Sequence, residues 1–284
     1  MTRSPGAVDP RRDAGAAGAA GAAERRGTAV VRWLGHASTV LDLDGVRVLT
    51  DPLLREHAGL LRRRGAAPDP AHWQDPDVVL ISHMHHDHAE LGSLRLLGDV
   101  PVLSAPANAH WLRGHGVRGA TGVHDEHWWS PPDPPASSVR VRVVPAVHGH
   151  RPMPRRPNSA NGFLVVAPSL TVWFAGDTAP YPAMADLPAL LGAPPDLALV
   201  PVGGWGPRLS GGHMDPVQAA QACALVGARA AVPVHWGTLH APASRRLPPG
   251  WMDRAGAAFA HAMGKVAPDC QVHVLEQGEA VALA

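Results

Sequence analysis

The chain has 284 residues, 45% hydrophobic and 17% charged, with a formal net charge of +1. That is enough apolar material for a large core, and the near-neutral balance gives no electrostatic footprint for nucleic acid. No run of 18 apolar residues is present, which argues against a transmembrane helix.

Residues 1–27 are rich in Ala and Gly and lack the leucine-rich stretch of a secretory signal. They read as a flexible tail before a single domain over 28–284. The two cysteines, Cys223 and Cys270, form no Cys-x-x-Cys pair and read as reduced thiols of a cytoplasmic protein.

Apolar runs at 29–33, 39–43 and 46–50 predict strands, the last two joined by a turn at Asp44-Gly45. Residues 53–64 read as a short helix or a loop, and the Pro-rich segment to 76 as loop. A buried strand is expected at 78–81, a helix at 87–97, a strand at 100–104 and a short helix at 107–114. After a Pro-rich connection at 130–136, alternating Val139, Val141 and Val143 mark a half-buried strand. Strands at 162–166 and 170–175 pair through Pro168-Ser169, and another follows at 197–202. A helix at 216–226, a strand at 229–234, a helix at 250–263 and strands at 271–275 and 280–283 close the chain. Strands and helices thus come in two successive sets. The expected fold is α/β, with two sheets face to face and helices outside, a four-layer α/β/β/α sandwich.

The 18 histidines are many for this length. The run Ser82-His83-Met84-His85-His86-Asp87-His88 directly follows the apolar segment 77–81. Imidazole and carboxylate are the donors that zinc, manganese and iron accept, and a loop at a strand end can aim several at one point. A solvated His-rich tract would not require the aspartate spacing or the strand before it. His148, Asp177 and His235 also each follow an apolar strand, where α/β sheets build ligand sites. His83, His85 and His148 would give one metal three imidazoles, and Asp87, His88 and His235 would take a second, with Asp177 able to bridge. His150 is an alternative donor to His148. Two cations about 3.5–4 Å apart can hold and deprotonate a bridging water.

The set His83, His85, Asp87, His88, His148, Asp177 and His235 resembles the ligand pattern of the metallo-β-lactamase superfamily, over about residues 29–240. The resemblance implies the α/β/β/α fold and a hydrolytic site with two divalent ions, zinc or alternatively manganese. In it Asp87 is both ligand and proton acceptor for the nucleophile. Trp33-Leu34-Gly35-His36-Ala37-Ser38, Thr50-Asp51-Pro52, Gly176-Asp177-Thr178, His213-Met214-Asp215-Pro216 and His235-Trp236-Gly237-Thr238 look like one branch. That branch contains N-acyl-phosphatidylethanolamine-hydrolysing phospholipase D and L-ascorbate-6-phosphate lactonase.

In that resemblance Asp51 orients a metal-binding imidazole, and His36 supports the site from behind or meets the substrate. His213 reaches the substrate or protonates the leaving group. The local readings are a turn residue for Asp51, a core or capping histidine for His36, and a helix cap for His213. Trp205 and Trp236 either pack or wall the pocket. The leading expectation is a phospholipase-D-like phosphodiesterase acting on a small-molecule phosphoester. A lactonase acting on a soluble lactone is the alternative. A nuclease is disfavoured by the net charge. Diiron oxidoreductases of this fold typically carry Glu where His85 stands, and mononuclear-iron persulfide-type oxidoreductases remain a further alternative. No nucleic-acid partner is expected, and no basic amphipathic helix indicates a membrane.

Overall fold

The structure is a computed structural model that describes residues 29–125, 127–132, 138–148, 156–246 and 248–283. The 1–27 segment, most of the 130–136 connection and His150 lie outside the described residues.

In chain order the strands are β1 (Ala29–Gly35), β2 (Ser38–Leu43), β3 (Val46–Thr50), β4 (His57–Ala58), β5 (Leu61–Arg63), β6 (Val78–Leu80), β7 (Val102–Ser104), β8 (Ala120–Gly122) and β9 (Trp128–Trp129). They continue with β10 (Arg140–Pro145), β11 (Asn161–Val166), β12 (Thr171–Phe174), β13 (Leu197–Pro201), β14 (Ala230–Val234), β15 (Leu239–His240), β16 (Gln271–Val272) and β17 (Ala280–Leu283). The helices are α1 (Pro70–Trp73), α2 (Leu91–Leu96), α3 (Pro106–Gly114), α4 (Leu187–Leu191), α5 (Pro216–Val226) and α6 (Arg254–Val266).

One seven-stranded sheet has the order β17-β1-β2-β3-β6-β7-β8, the other β16-β14-β13-β12-β11-β10-β9. Each is antiparallel in one half and parallel in the other, the change falling at β3 in the first and at β12 in the second. The period-2 alternation of strand side chains builds the layers. Val172 and Phe174 join Val31, Leu41 and Val48 in the core between the sheets. Trp173 between them faces the other way, into a core shared with Ala220 and Cys223 of α5 and Phe259 and Met263 of α6. On the opposite flank Leu49 and Val79 pack against Leu94 of α2 and Ala109 and Leu112 of α3. Three apolar cores between four layers are the α/β/β/α sandwich. Each fully buried Val, Leu or Phe contributes about 1.5–3 kcal/mol of transfer free energy.

The expected helix or loop at 53–64 is instead the β4–β5 hairpin, which pairs with β15 in a small third sheet. Buried Arg63 explains it: the guanidinium donates to the carbonyls of Leu34 (2.9 Å) and Leu53 (2.6 Å) and so pins the hairpin to the body. Gly35 makes room for it, since a Cβ there would stand 2.7 Å from the Arg63 guanidinium. The helix expected from residue 87 begins only at Leu91. Glu90 caps it, accepting from the Gly92 and Ser93 amides, while Asp87 and His88 stay outside the helix. Cys223 and Cys270 are both free, and only Cys223 is buried.

Candidate metal centre

The carboxyl ends of β3, β6, β12 and β14 deliver Asp51, the 82–88 loop, Asp177 and His235 to one region. Several of these positions need unusual backbone. His36, Asp51 and His235 have φ of 53°, 32° and 64°, a left-handed conformation that costs non-glycine residues about 1–3 kcal/mol and gathers at functional sites. Gly176, before Asp177, has φ 60°. A Cβ on it would come within 2.7 Å of Ser82 Cβ and 2.9 Å of the Asn161 carbonyl. That close approach sets Asp177, from one sheet, beside the 82–88 loop of the other.

The ring nitrogens of three histidines meet at one point: His83 Nε2 lies 2.9 Å and His148 Nε2 3.0 Å from His85 Nδ1. A second group joins His36, Asp87, His88 and His235. In it His88 Nε2 and His235 Nε2 stand 3.1 Å apart, and each lies 3.7 Å from Asp87 Oδ2. Asp177 sits between the groups, its Oδ2 3.2 Å from His88 Nε2, 3.2 Å from His235 Nε2 and 3.9 Å from His83 Nε2. The structure therefore brings together all seven residues singled out as ligands. His86, the remaining histidine of the run, instead meets Arg156 at 3.0 Å.

The outer nitrogens are held as well. His88 Nδ1 donates to Asp51 Oδ2 at 2.7 Å, and Ser82 Oγ donates to the same oxygen at 2.5 Å. Ser82 Oγ lies 3.0 Å from His83 Nδ1. His148 Nδ1 donates to the Gly212 carbonyl at 2.8 Å, and His235 Nδ1 to that of Gly203 at 2.9 Å. Sequence reasoning did not find Ser82, Gly203 or Gly212. Ser82 carries a signal in its position between the strand and the first ligand; the two carbonyls carry none.

His36 packs its ring 4.0 Å from that of His235 and places Nε2 3.0 Å from Asp87 Oδ2. Burial, together with the neighbouring His235, pushes its pKa down to about 3, so the ring is neutral and Nε2 is the donor. His213 is not a helix cap. Asp215 caps α5, accepting from the Val217 and Gln218 amides, with Gln218 completing the box. His213 is left to place Nε2 3.2 Å from Asp177 Oδ2. Trp236 stacks on Trp33 at 5.4 Å, whereas Trp205 is exposed.

Burial opposes ionisation of Asp87 and Asp177, yet surrounding imidazoles, His88 and His235 foremost, hold both well below the usual carboxylate range. Burial likewise opposes a charge on His88, but Asp177, Asp87 and Asp51 together raise it well above an ordinary histidine. Among the described residues no Lys or Arg makes an ion pair with these three buried aspartates. Asp177 Oδ1 is buried with no hydrogen-bond partner. An orphaned anionic oxygen among converging imidazoles fits a cation, because buried charge must be compensated. Ligand atoms about 3.3 Å apart are what tetrahedral bonds of about 2.0–2.1 Å to zinc require, close to the separations found here.

Comparison with known proteins agrees with this geometry. The family described as "Beta-lactamase superfamily domain" matches residues 46–236. The chain is 28% identical over 225 residues to N-acyl-phosphatidylethanolamine-hydrolyzing phospholipase D 1 of Caenorhabditis elegans, covering 72% of this chain and 63% of that protein. It is 27% identical over 255 residues to a UPF0173 metal-dependent hydrolase of Caldivirga maquilingensis, covering 89% and 97%. The chain spans 58–63% of the length of the first curated relatives it matches. A solved metallo hydrolase from Ignicoccus hospitalis superposes with a TM-score of 0.69 at 22% identity, over 90% of this chain and 99% of that one, which bears on the fold.

Proposed function

This chain belongs to the β-lactamase superfamily, and from that premise we propose that it is a metal-dependent hydrolase cleaving a phosphodiester in a small-molecule substrate. The observation that carries the reading is Asp177, a buried carboxylate lying between two groups of imidazoles, near His83 of one and His88 and His235 of the other, with one oxygen unpartnered. His83, His85 and His148 would hold one divalent cation, zinc or manganese. Asp87, His88 and His235 would hold a second, and Asp177 would serve both. Cations bound there supply Lewis acidity and lower the pKa of water toward neutrality.

The chain's own groups orient the substrate and move protons. Asp87 Oδ2 is placed to accept the proton of the attacking water, and the His36 Nε2–H bond at 3.0 Å holds that oxygen in position. His213, at the open side of Asp177, is placed to give a proton from Nε2 to the leaving oxygen. Asp51 and Ser82 fix ring orientation from behind. The choice of a phosphodiester is supported by the similarity to the nematode phospholipase D. The motif around His213 and Asp215 supports it too.

The test is metal analysis of the purified chain, then assays with bis(p-nitrophenyl) phosphate, a lactone and an N-acyl phospholipid. Metal-dependent turnover of a phosphodiester supports the reading. Turnover of the lactone alone reassigns the bond, and turnover of none overturns the proposal.

A further inference from the structure

We propose that the loop over residues 204–213 forms a specificity recess for an aromatic arm bearing a negative charge, attached to the group cleaved at the metal centre. The inference rests on the hydrolytic reading above and narrows its substrate class.

The recess has a volume of about 110 Å³ and is lined by Gly204, Trp205, Arg208, Leu209, Ser210 and His213, with the Gly206 backbone between them. It adjoins the centre through two of its walls. His213 reaches Asp177 Oδ2 with Nε2 at 3.2 Å. A Cβ built on Gly204 would stand 3.9 Å from His235 Cε1 and 3.3 Å from Leu209 Cδ2. The missing side chain at Gly204 therefore keeps the recess open between the loop and His235. A substrate whose scissile group sits at the centre can lay its neighbouring arm past His213 and into this space.

The walls define the arm. Trp205 and Leu209 leave 41% and 38% of their surface exposed. An indole face beside a leucine is an apolar platform suited to a planar ring. Arg208 is exposed and, among the described residues, makes no hydrogen bond or ion pair. The carboxylates of the centre are already engaged by histidines. Arg208 is thus a cation available to an incoming anion, with the planar fork that pairs with carboxylate or phosphate. At about 110 Å³ the recess has room for one ring, the size of a compact aromatic anion.

The test uses the zinc-loaded full chain and three non-hydrolysable probes, with Kd read by calorimetry. Methylphosphonate addresses the centre alone, benzylphosphonate adds the ring, and 4-carboxybenzylphosphonate adds the second charge. The ring should tighten binding about tenfold through burial and stacking. The carboxylate should add roughly threefold, the scale of an exposed ion pair. Trp205→Ala should erase the first increment, and Arg208→Gln the second, with Arg208→Lys restoring part of it. The three variants should bind methylphosphonate as tightly as the unsubstituted chain does. Equal affinity for the three probes in the unsubstituted chain, or increments that survive both substitutions, would overturn the recess while leaving the metal centre standing. Failure of methylphosphonate to bind, with no turnover in the hydrolase assays, would remove the centre and the recess together.

Discussion

His88 donates from Nδ1 to Asp51 Oδ2 at 2.7 Å, and this one bond fixes which nitrogen faces the metal centre. A carboxylate accepts only, so Nδ1 keeps its proton, and a cation that displaces the proton of Nε2 would meet the lone pair there. The same Asp51 oxygen accepts from Ser82 Oγ, which in turn lies against His83 Nδ1. One buried aspartate therefore orients an imidazole in each candidate metal group. Asp51→Asn is expected to lower zinc affinity by about 10–100-fold. Ser82→Ala should have a smaller effect, through His83. Chelator competition measures both, and unchanged affinity in Asp51→Asn would show that packing alone holds the rings.

Asp177 stands between the two candidate metal groups, its Oδ2 3.2 Å from His88 Nε2 and 3.9 Å from His83 Nε2. Asp177→Ala is expected to remove most bound metal and most hydrolysis, read by elemental analysis and by turnover of bis(p-nitrophenyl) phosphate. A variant that keeps two equivalents of metal and full turnover would refute the shared role.

His213 touches Asp177 and shares a third possible ligand set with His148 and Asp177, but the two groups around His85 and His88 are complete without it. Its loss should separate catalysis from metal binding. His213→Ala is expected to keep its metal content and lose about 10²–10⁴-fold in kcat, the usual contribution of a proton donor. The loss should be smaller for substrates whose leaving group needs no proton, such as p-nitrophenolate. A uniform loss across leaving groups would assign His213 to binding.

Gly176 lets the two sheets approach at the site. Gly176→Ala meets a left-handed φ of 60° and a Cβ position 2.9 Å from the Asn161 carbonyl. Destabilisation of more than about 1 kcal/mol is expected, seen as a lower Tm. An unchanged Tm would mean that the 82–88 loop yields without cost.

Part of the second sheet was legible because alternation survives around β10: Val139, Val141 and Val143 are buried while Arg140 and Arg142 between them are not. The β4–β5 hairpin was not, because it depends on Arg63 reaching the carbonyls of Leu53 and of the more distant Leu34 and on pairing with β15. The helix at 87–97 was read too early, since periodicity does not show that Glu90 starts a new cap. A helix cap was the local reading of His213, and only the backbone amides of Val217 and Gln218 show that Asp215 caps α5 instead.

The sequence by itself determined the chemistry on offer: imidazoles and carboxylates at strand ends, a charge balance near zero, and two sets of strands and helices. Those are local properties, written in residue type and spacing. Only the tertiary structure decided that donors from residues 83 to 235 meet, that Asp177 stands between two groups, and that Asp51 serves both through His88 and Ser82. Such distances come from how two sheets pack through their shared core and where Gly176 lets them approach, and no local pattern encodes a contact made across the whole chain.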